Sequence, residues 1–329
     1  MKLRFIAIVL MLISCSKEIP EINNHTKVLE FAQSIKTENL YPLVEKIYQT
    51  HINDIPISNE GFPSDDLFPS DHLTRSAAVG FVAKELRDMG YQVDTVICGN
   101  QPPIAYNIVA EIKGVANPNS VILVGCHLDA FYGGADDNTT AVAAMLEIAR
   151  AARAFSFNKT IRFVAFDLEE FGSLGSTRYI EEGHAKDVSA ALVMDLIGYS
   201  SNQAGSQKDV MGIKMPSVGD YLIVVGNENS AELTQQIVSF SHTYNISKPL
   251  GILAPHDGVY FMSSVFMRSD HGLLWYKGLP AVFFSDGANF RNPHYHKPTD
   301  RPETIHQDFL KNNTKLIAAS LAILAEIQL

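Results

Sequence analysis

Apolar residues along this chain recur with two periods, and the switches between them outline alternating strands and helices. Residues 121–125 form a short apolar run bounded by polar turns, which predicts a buried strand. His127 and Asp129 follow two positions apart, and so fall on one side of an extended chain. A glycine loop, then Asp136, Asp137 and Asn138, leads into the helical spacing of Ala141, Ala144, Met145, Ile148 and Ala149. The same layout returns twice: strand 161–166 ends in Asp167, Glu169 and Glu170, and strand 190–194 ends in Asp195. Strand, charged loop, helix is the arrangement that gathers reactive groups at the carboxyl edge of an open α/β sheet.

On either side of this centre the pattern is simpler. Residues 27–51 carry helical periodicity (Val28, Phe31, Ile35, Leu43, Ile47), expected to break near Pro42. Residues 53–69 read as a loop, and Ser70 and Asp71 are positioned to cap a helix that runs to Met89 and stops at Gly90. Strands 91–97 and 106–112 are expected to pair antiparallel at one side of the sheet. Later come a short helix at 172–182, an aperiodic inserted loop at 200–217, a strand at 221–225 and a helix at 230–244. A loop at 255–269, one helical turn at 273–276, a strand at 281–285, a loop with histidines at 291–300 and a closing helix at 307–327 complete the chain. Strands alternating with helices predict an α/β fold with a mixed, mostly parallel central sheet.

Composition narrows the function classes. With 329 residues, 46% hydrophobic and 19% charged, the chain is long enough for one large core. A net charge of −10 with no Lys/Arg cluster argues against a nucleic-acid partner. Residues 1–14 differ from the rest: Lys2 and Arg4 precede an apolar stretch and then Ser14, which predicts a signal peptide. Leu12, Ile13, Ser14 and Cys15 also resemble a bacterial lipobox. On that reading Cys15 carries a lipid, residues 15–26 are a tether, and the protein is exported and anchored to a bacterial membrane at the periplasmic or cell surface. The two other cysteines, Cys98 and Cys126, could pair in an exported protein, or Cys126 could be a buried free thiol; both remain open.

Taken singly, each strand-end carboxylate would serve as a helix cap or a solvated charge. Jointly, imidazole and carboxylates delivered from successive strand ends make a donor set suited to Zn²⁺. The segments HLD (127–129), GADDN (134–138), FDLEEFGSLGS (166–176), MDLIG (194–198), RSDH (268–271) and NPHYHKPTD (292–300) resemble, in order and spacing, the co-catalytic di-zinc aminopeptidases. These are the secreted bacterial leucyl aminopeptidases, related to glutamate carboxypeptidase II and the glutaminyl cyclases. The resemblance runs from about residue 70 to the C-terminus and implies a three-layer zinc-exopeptidase fold, with 27–329 as a single catalytic domain. It also implies two zinc ions per chain: one held by His127 and Asp195, one by Glu170 and His296, with Asp137 bridging. Glu169 would be the general base, Asp129 the partner that orients His127, and Tyr295 an oxyanion stabiliser. A cis peptide would follow the bridging residue, at Asp137–Asn138.

The substrate implied is a peptide with a free N-terminus, cleaved after proton transfer through Glu169. Phe131, Tyr132, Phe171, Trp275 and Phe290 are candidates for an apolar specificity pocket. The sequence departs from the family pattern at Thr139–Thr140 and at Gly272, Leu273, Leu274 and Trp275, both near the expected pocket. Two rivals share the fold: a single-zinc glutaminyl cyclase and a binding module that has lost its metals. Tyr295, where the cyclases carry Trp, and a filled set of ligand positions favour the peptidase.

Overall fold

The computed structural model describes residues 24–57, 64–254 and 264–328. The chain opens with helices α1 (His25–Gln33) and α2 (Thr37–Ile52), the short strand β1 (Leu73–Thr74) and helix α3 (Ser76–Asp88). Strands β2 (Val93–Cys98), β3 (Ala105–Ile112), β4 (Asn117–His127) and β5 (Ala130–Phe131) follow, then α4 (Ala141–Ala152), β6 (Lys159–Phe166), α5 (Leu174–Glu181) and β7 (Val188–Met194). The remainder is β8 (Leu222–Gly226), α6 (Ala231–Tyr244), β9 (Pro249–Leu253), α7 (Gly272–Tyr276), β10 (Ala281–Ser285) and α8 (Gln307–Leu324).

Eight strands form one sheet in the order β2-β3-β6-β4-β7-β10-β8-β9, while β1 and β5 pair separately. Strands β6, β4, β7 and β10 lie side by side and parallel, so their carboxyl ends share one edge. The β2–β3 pair is antiparallel at one side, as its alternation predicts. Along β4, Ile122, Val124 and Cys126 face a core shared with α4 and α8, whereas Val121 and Leu123 face the cluster that holds Tyr179 of α5 and Trp275 of α7. Helices on both faces bury every β4 side chain from Val121 to His127, which is why this strand reads as a continuous apolar run. The result is the expected three-layer α/β arrangement.

Several boundaries differ from the expectation, each for a local reason. The helical break falls at residues 34–36, not at Pro42, which sits inside α2. Buried Glu147 of α4 accepts from the Lys36 backbone N–H and from Asn39 Nδ2, and Arg150 donates to the Ser34 carbonyl, so this connection is held by α4. Ser70 and Asp71 form a 3₁₀ turn ahead of β1, and α3 begins at Ser76 after Arg75. Gly90 does end that helix, with φ of 83°. Strand β9 was not anticipated, since Pro249 heads a run too short to distinguish from loop. Residues 200–217 carry only isolated bridges, such as Val210 with Ile213. The expected signal peptide, Cys15, and the tether up to residue 23 lie outside the described residues. Among the described residues no helix is long and apolar enough to cross a membrane.

Candidate metal centre

Every residue proposed as a ligand is brought to the carboxyl edge of the four parallel strands. His127 is the last residue of β4, Asp195 follows β7, Glu169 and Glu170 follow β6, and Asp137 lies in the loop before α4. His296 arrives from the 291–300 loop. The Asp137 loop is shaped by Gly134, whose φ is +46° and where a Cβ would lie 2.1 Å from the Asp137 carbonyl oxygen. The Asp137–Asn138 peptide is cis, as the resemblance implied. Asn138 fixes that turn by donating to the Met194 carbonyl at 3.1 Å and accepting from Leu196 N–H at 3.0 Å, which ties the loop to the end of β7.

Two triads of donors share Asp137: His127, Asp137 and Asp195 in one, Asp137, Glu170 and His296 in the other, with donor atoms within 4.8 Å of one another. His127 Nε2 lies 3.2 Å from Asp195 Oδ1 and 3.5 Å from Asp137 Oδ1. His296 Nε2 lies 3.2 Å from Asp137 Oδ2 and 3.1 Å from Glu170 Oε2. Yet His296 Nε2, Asp137 Oδ2 and Glu170 Oε1 are buried without a hydrogen-bond partner. His296 Nε2 lies within hydrogen-bond distance of Asp137 Oδ2 and Glu170 Oε2, but the angles make no hydrogen bond. Orphaned buried donors of this kind, in an all-N/O set with imidazole, fit a divalent transition metal.

Electrostatics points the same way. Burial alone would lower the His127 pKa, but Asp195, Asp129 and Asp137 overcome it and hold it well above the ordinary value. His296 also rises against its burial, to about 11, through Glu170 and Asp137. Burial pushes Glu170 up to about 7, moderated by His296. Burial likewise raises Asp137, but the two histidines outweigh it and depress its pKa. Charge thus holds imidazoles and carboxylates together here, and a bound cation would displace their protons.

Around this centre the supporting contacts differ in detail from the sequence reading. Asp129 does touch His127, but the nearer partner of His127 Nδ1 is the Asp129 backbone oxygen at 3.1 Å; the carboxylate oxygen is 3.6 Å away. The Asp129 carboxylate instead accepts from the backbone N–H groups of Glu169 (3.0 Å) and Glu170 (3.1 Å), fixing the acidic pair. Asp136 points away from the histidines, accepting from Gly198 N–H, Thr140 Oγ and Asn292 Nδ2. Asp167 also turns away, pairing with Arg75 and accepting from Tyr106 N–H. His294 bonds Thr299 and stays at the surface.

Sequence reasoning missed three supporting residues. Asp300 accepts from the backbone N–H groups of both Asp136 and Asp137, and only its place at the end of the 292–300 segment hinted at this. Ser173 Oγ donates to Glu169 Oε1 at 3.1 Å. Arg268 Nη2 donates to the Tyr295 hydroxyl at 3.3 Å, leaving the phenolic proton free, while the Tyr295 ring stacks on His296 at 3.7 Å. Burial, reinforced by Asp137 and Glu170, raises the Tyr295 pKa well above its usual value, so the phenol stays protonated.

An apolar pocket opens beside Asp195 and Tyr295, lined by Val210, Met215, Ile223, Val225, Ile252, Phe266, Phe283 and Phe290. Of the five aromatic candidates only Phe290 belongs to it. Trp275 is buried core with its indole N–H on the Ala281 carbonyl, and Phe131 packs edge-on against the His296 ring. Tyr132 stacks on His72, and Phe171 packs against the core on the α5 side.

The profile of peptidase family M28 matches residues 107–321, which include all of these ligand positions. The chain belongs to peptidase family M28. Curated relatives include the uncharacterized protein YfbL of Escherichia coli, 27% identical over 217 residues, 61% of this chain and 65% of that one. Leucine aminopeptidase 2 of Trichophyton rubrum is 26% identical over 239 residues, 66% of this chain and 44% of its own length. The matches therefore span less than two thirds of these relatives. Among solved structures, the LapA aminopeptidase of Legionella pneumophila superposes with a TM-score of 0.68 at 17% identity, covering 94% of the M28 chain and 77% of LapA. At that identity the likeness speaks to the fold.

Proposed function

We propose that this M28 chain is a zinc aminopeptidase that removes single residues from peptides with a free N-terminus. The observation that carries the reading is the convergence of His127, Asp137, Asp195, Glu170 and His296 in two triads that share Asp137, with His296 Nε2, Asp137 Oδ2 and Glu170 Oε1 buried and unpartnered, directly beside an apolar pocket. His127 and Asp195 would hold one zinc, Glu170 and His296 a second, and Asp137 both. Bound there, two zinc ions would polarise the scissile carbonyl and acidify a water. Glu169 takes the proton of the attacking water and delivers it to the leaving amine. Tyr295, its proton free and its oxygen held by Arg268, donates to the developing oxyanion. Asp129 keeps both glutamates in place through their backbone. The pocket takes the side chain of the N-terminal residue, and the surrounding carboxylates favour its α-ammonium.

Two comparisons test this reading. A peptide library with free N-termini should be trimmed one residue at a time, while its N-acetylated copy loses most of kcat/KM because the cap removes the charge and adds bulk. Treatment with a chelator should abolish hydrolysis, and added Zn²⁺ should restore it. Equal cleavage of capped and free peptides would sink the aminopeptidase reading, and cyclisation of N-terminal glutamine without hydrolysis would favour the cyclase instead.

The membrane anchor is part of the same proposal and rests on residues 1–15. Cys15→Ala should abolish lipidation and move the protein from the detergent-soluble membrane fraction to an unprocessed or soluble form. Wild-type protein recovered wholly in the soluble fraction without detergent would refute it.

A further inference from the structure

Two strands away from the centre, on the β2 edge of the sheet, a second set of metal-competent side chains converges. Cys98 ends β2, and Glu182 and His184 lie just beyond α5; their donor atoms all fall within 4.8 Å of one another. We propose that Cys98, Glu182 and His184 form a separate zinc site that clamps the edge strand β2 to the end of α5. Thiolate, imidazole and carboxylate together select Zn²⁺ over the hard cations Mg²⁺ and Ca²⁺.

Two of the three ligand side chains, Cys98 and Glu182, are already held in place. Asn107 Nδ2 donates toward Cys98 Sγ at 3.5 Å, and Asn107 is itself fixed by the Gly175 carbonyl and the Asp167 N–H. Gly99 N–H donates to Glu182 Oε1 at 2.8 Å, leaving Oε2 3.9 Å from His184 Nε2. The His184 backbone oxygen is held by Arg162. Such outer contacts are what fix first ligands in metal sites. Tetrahedral zinc needs donor separations of roughly 3.3–3.8 Å given its bond lengths. Closing from the observed spacing takes about 1 Å of movement by His184 and Glu182, which are 41% and 40% exposed, while Cys98 is fully buried. That exposure leaves the fourth position to water. The nearby cation, Arg178, has its guanidinium engaged by the Pro103 carbonyl.

Burial, with the Glu182 carboxylate close by, pushes the Cys98 thiol up to about 11. Zinc binding therefore displaces one proton to solvent: Zn²⁺ and the Cys98 thiol give the zinc thiolate and H⁺.

The test separates this site from the first, whose proposed ligands are all nitrogen and oxygen. The purified full chain, stripped and reloaded with Co²⁺, should show near-ultraviolet thiolate-to-cobalt charge transfer. Cys98→Ser should abolish that band while the weaker visible absorption of cobalt in the nitrogen–oxygen centre persists as a control for folding. His184→Ala, an exposed substitution, should weaken cobalt binding at this site by at least about tenfold, leaving peptide hydrolysis intact. Absence of the band in wild-type protein at excess cobalt would overturn the proposal, as would a band undiminished in His184→Ala. Either result stands whatever the peptidase assay returns.

Discussion

Glu169→Gln should lower kcat by about 10²–10⁴-fold while metal content stays at the wild-type level. Glu169 reaches the centre without belonging to either donor triad. Its Oε2 is 3.9 Å from His127 Nε2 and its Oε1 is held by Ser173 at 3.1 Å. Burial pushes its pKa well above the usual carboxylate range, with Asp195 and Glu170 adding to the rise and His127 opposing it. A carboxylate so placed readily accepts a proton. Gln keeps the size and the bond to Ser173 but cannot accept that proton, so the loss should appear in kcat, with KM nearly unchanged. Steady-state kinetics with elemental analysis on the same sample decides it. Near-normal turnover would mean that the base is another residue.

Asp137→Ala should strip both metal positions together. Its Oδ1 serves the His127 side and its Oδ2 the His296 side, so a single truncation opens both triads. The loss in affinity should exceed the roughly 10–100-fold typical of losing an outer contact, because Asp137 is the proposed direct ligand of both positions. Asp136→Asn is the matched control. Its oxygens are taken up by Gly198, Thr140 and Asn292 on the far side of the loop, so metal affinity should change much less. Competition against a chromogenic chelator measures both variants. If Asp136→Asn proved the more damaging, or if Asp137→Ala lost metal from one position only, the shared-ligand assignment would fail.

The candidate cluster was legible in the sequence because its side chains sit where patterns change. His127, Glu170 and Asp195 each end an apolar run, and the parallel register of β6, β4 and β7 puts those ends together. The choice of Asp137 over Asp136 needed the family motif, since adjacent carboxylates look alike in a sequence and part only when Asn138 fixes the turn. The pocket was not legible. Val210, Ile223, Val225, Ile252 and Phe283 come from strands and an aperiodic loop, and facing a cavity leaves the same apolar signature as facing the core. Of the aromatic residues near the motifs, Phe290 does line the pocket, whereas Trp275 is core packing. The break at 34–36 escaped because its cause, Glu147, lies on a helix over a hundred positions away.

The pocket wall and the ligand set draw on largely different parts of the sheet. The wall comes mainly from β8, β9, β10 and the 210–215 loop, while the proposed ligands come from the ends of β4, β6 and β7, the Asp137 loop and His296; Asp195 and Tyr295 border both. Selection could therefore reshape what enters the cleft without disturbing how a bond is broken. Divergence among descendants of such a scaffold should accumulate first in the aliphatic wall, where exchanging Val, Ile and Met costs little. A lineage could thus change its diet long before it changed its chemistry.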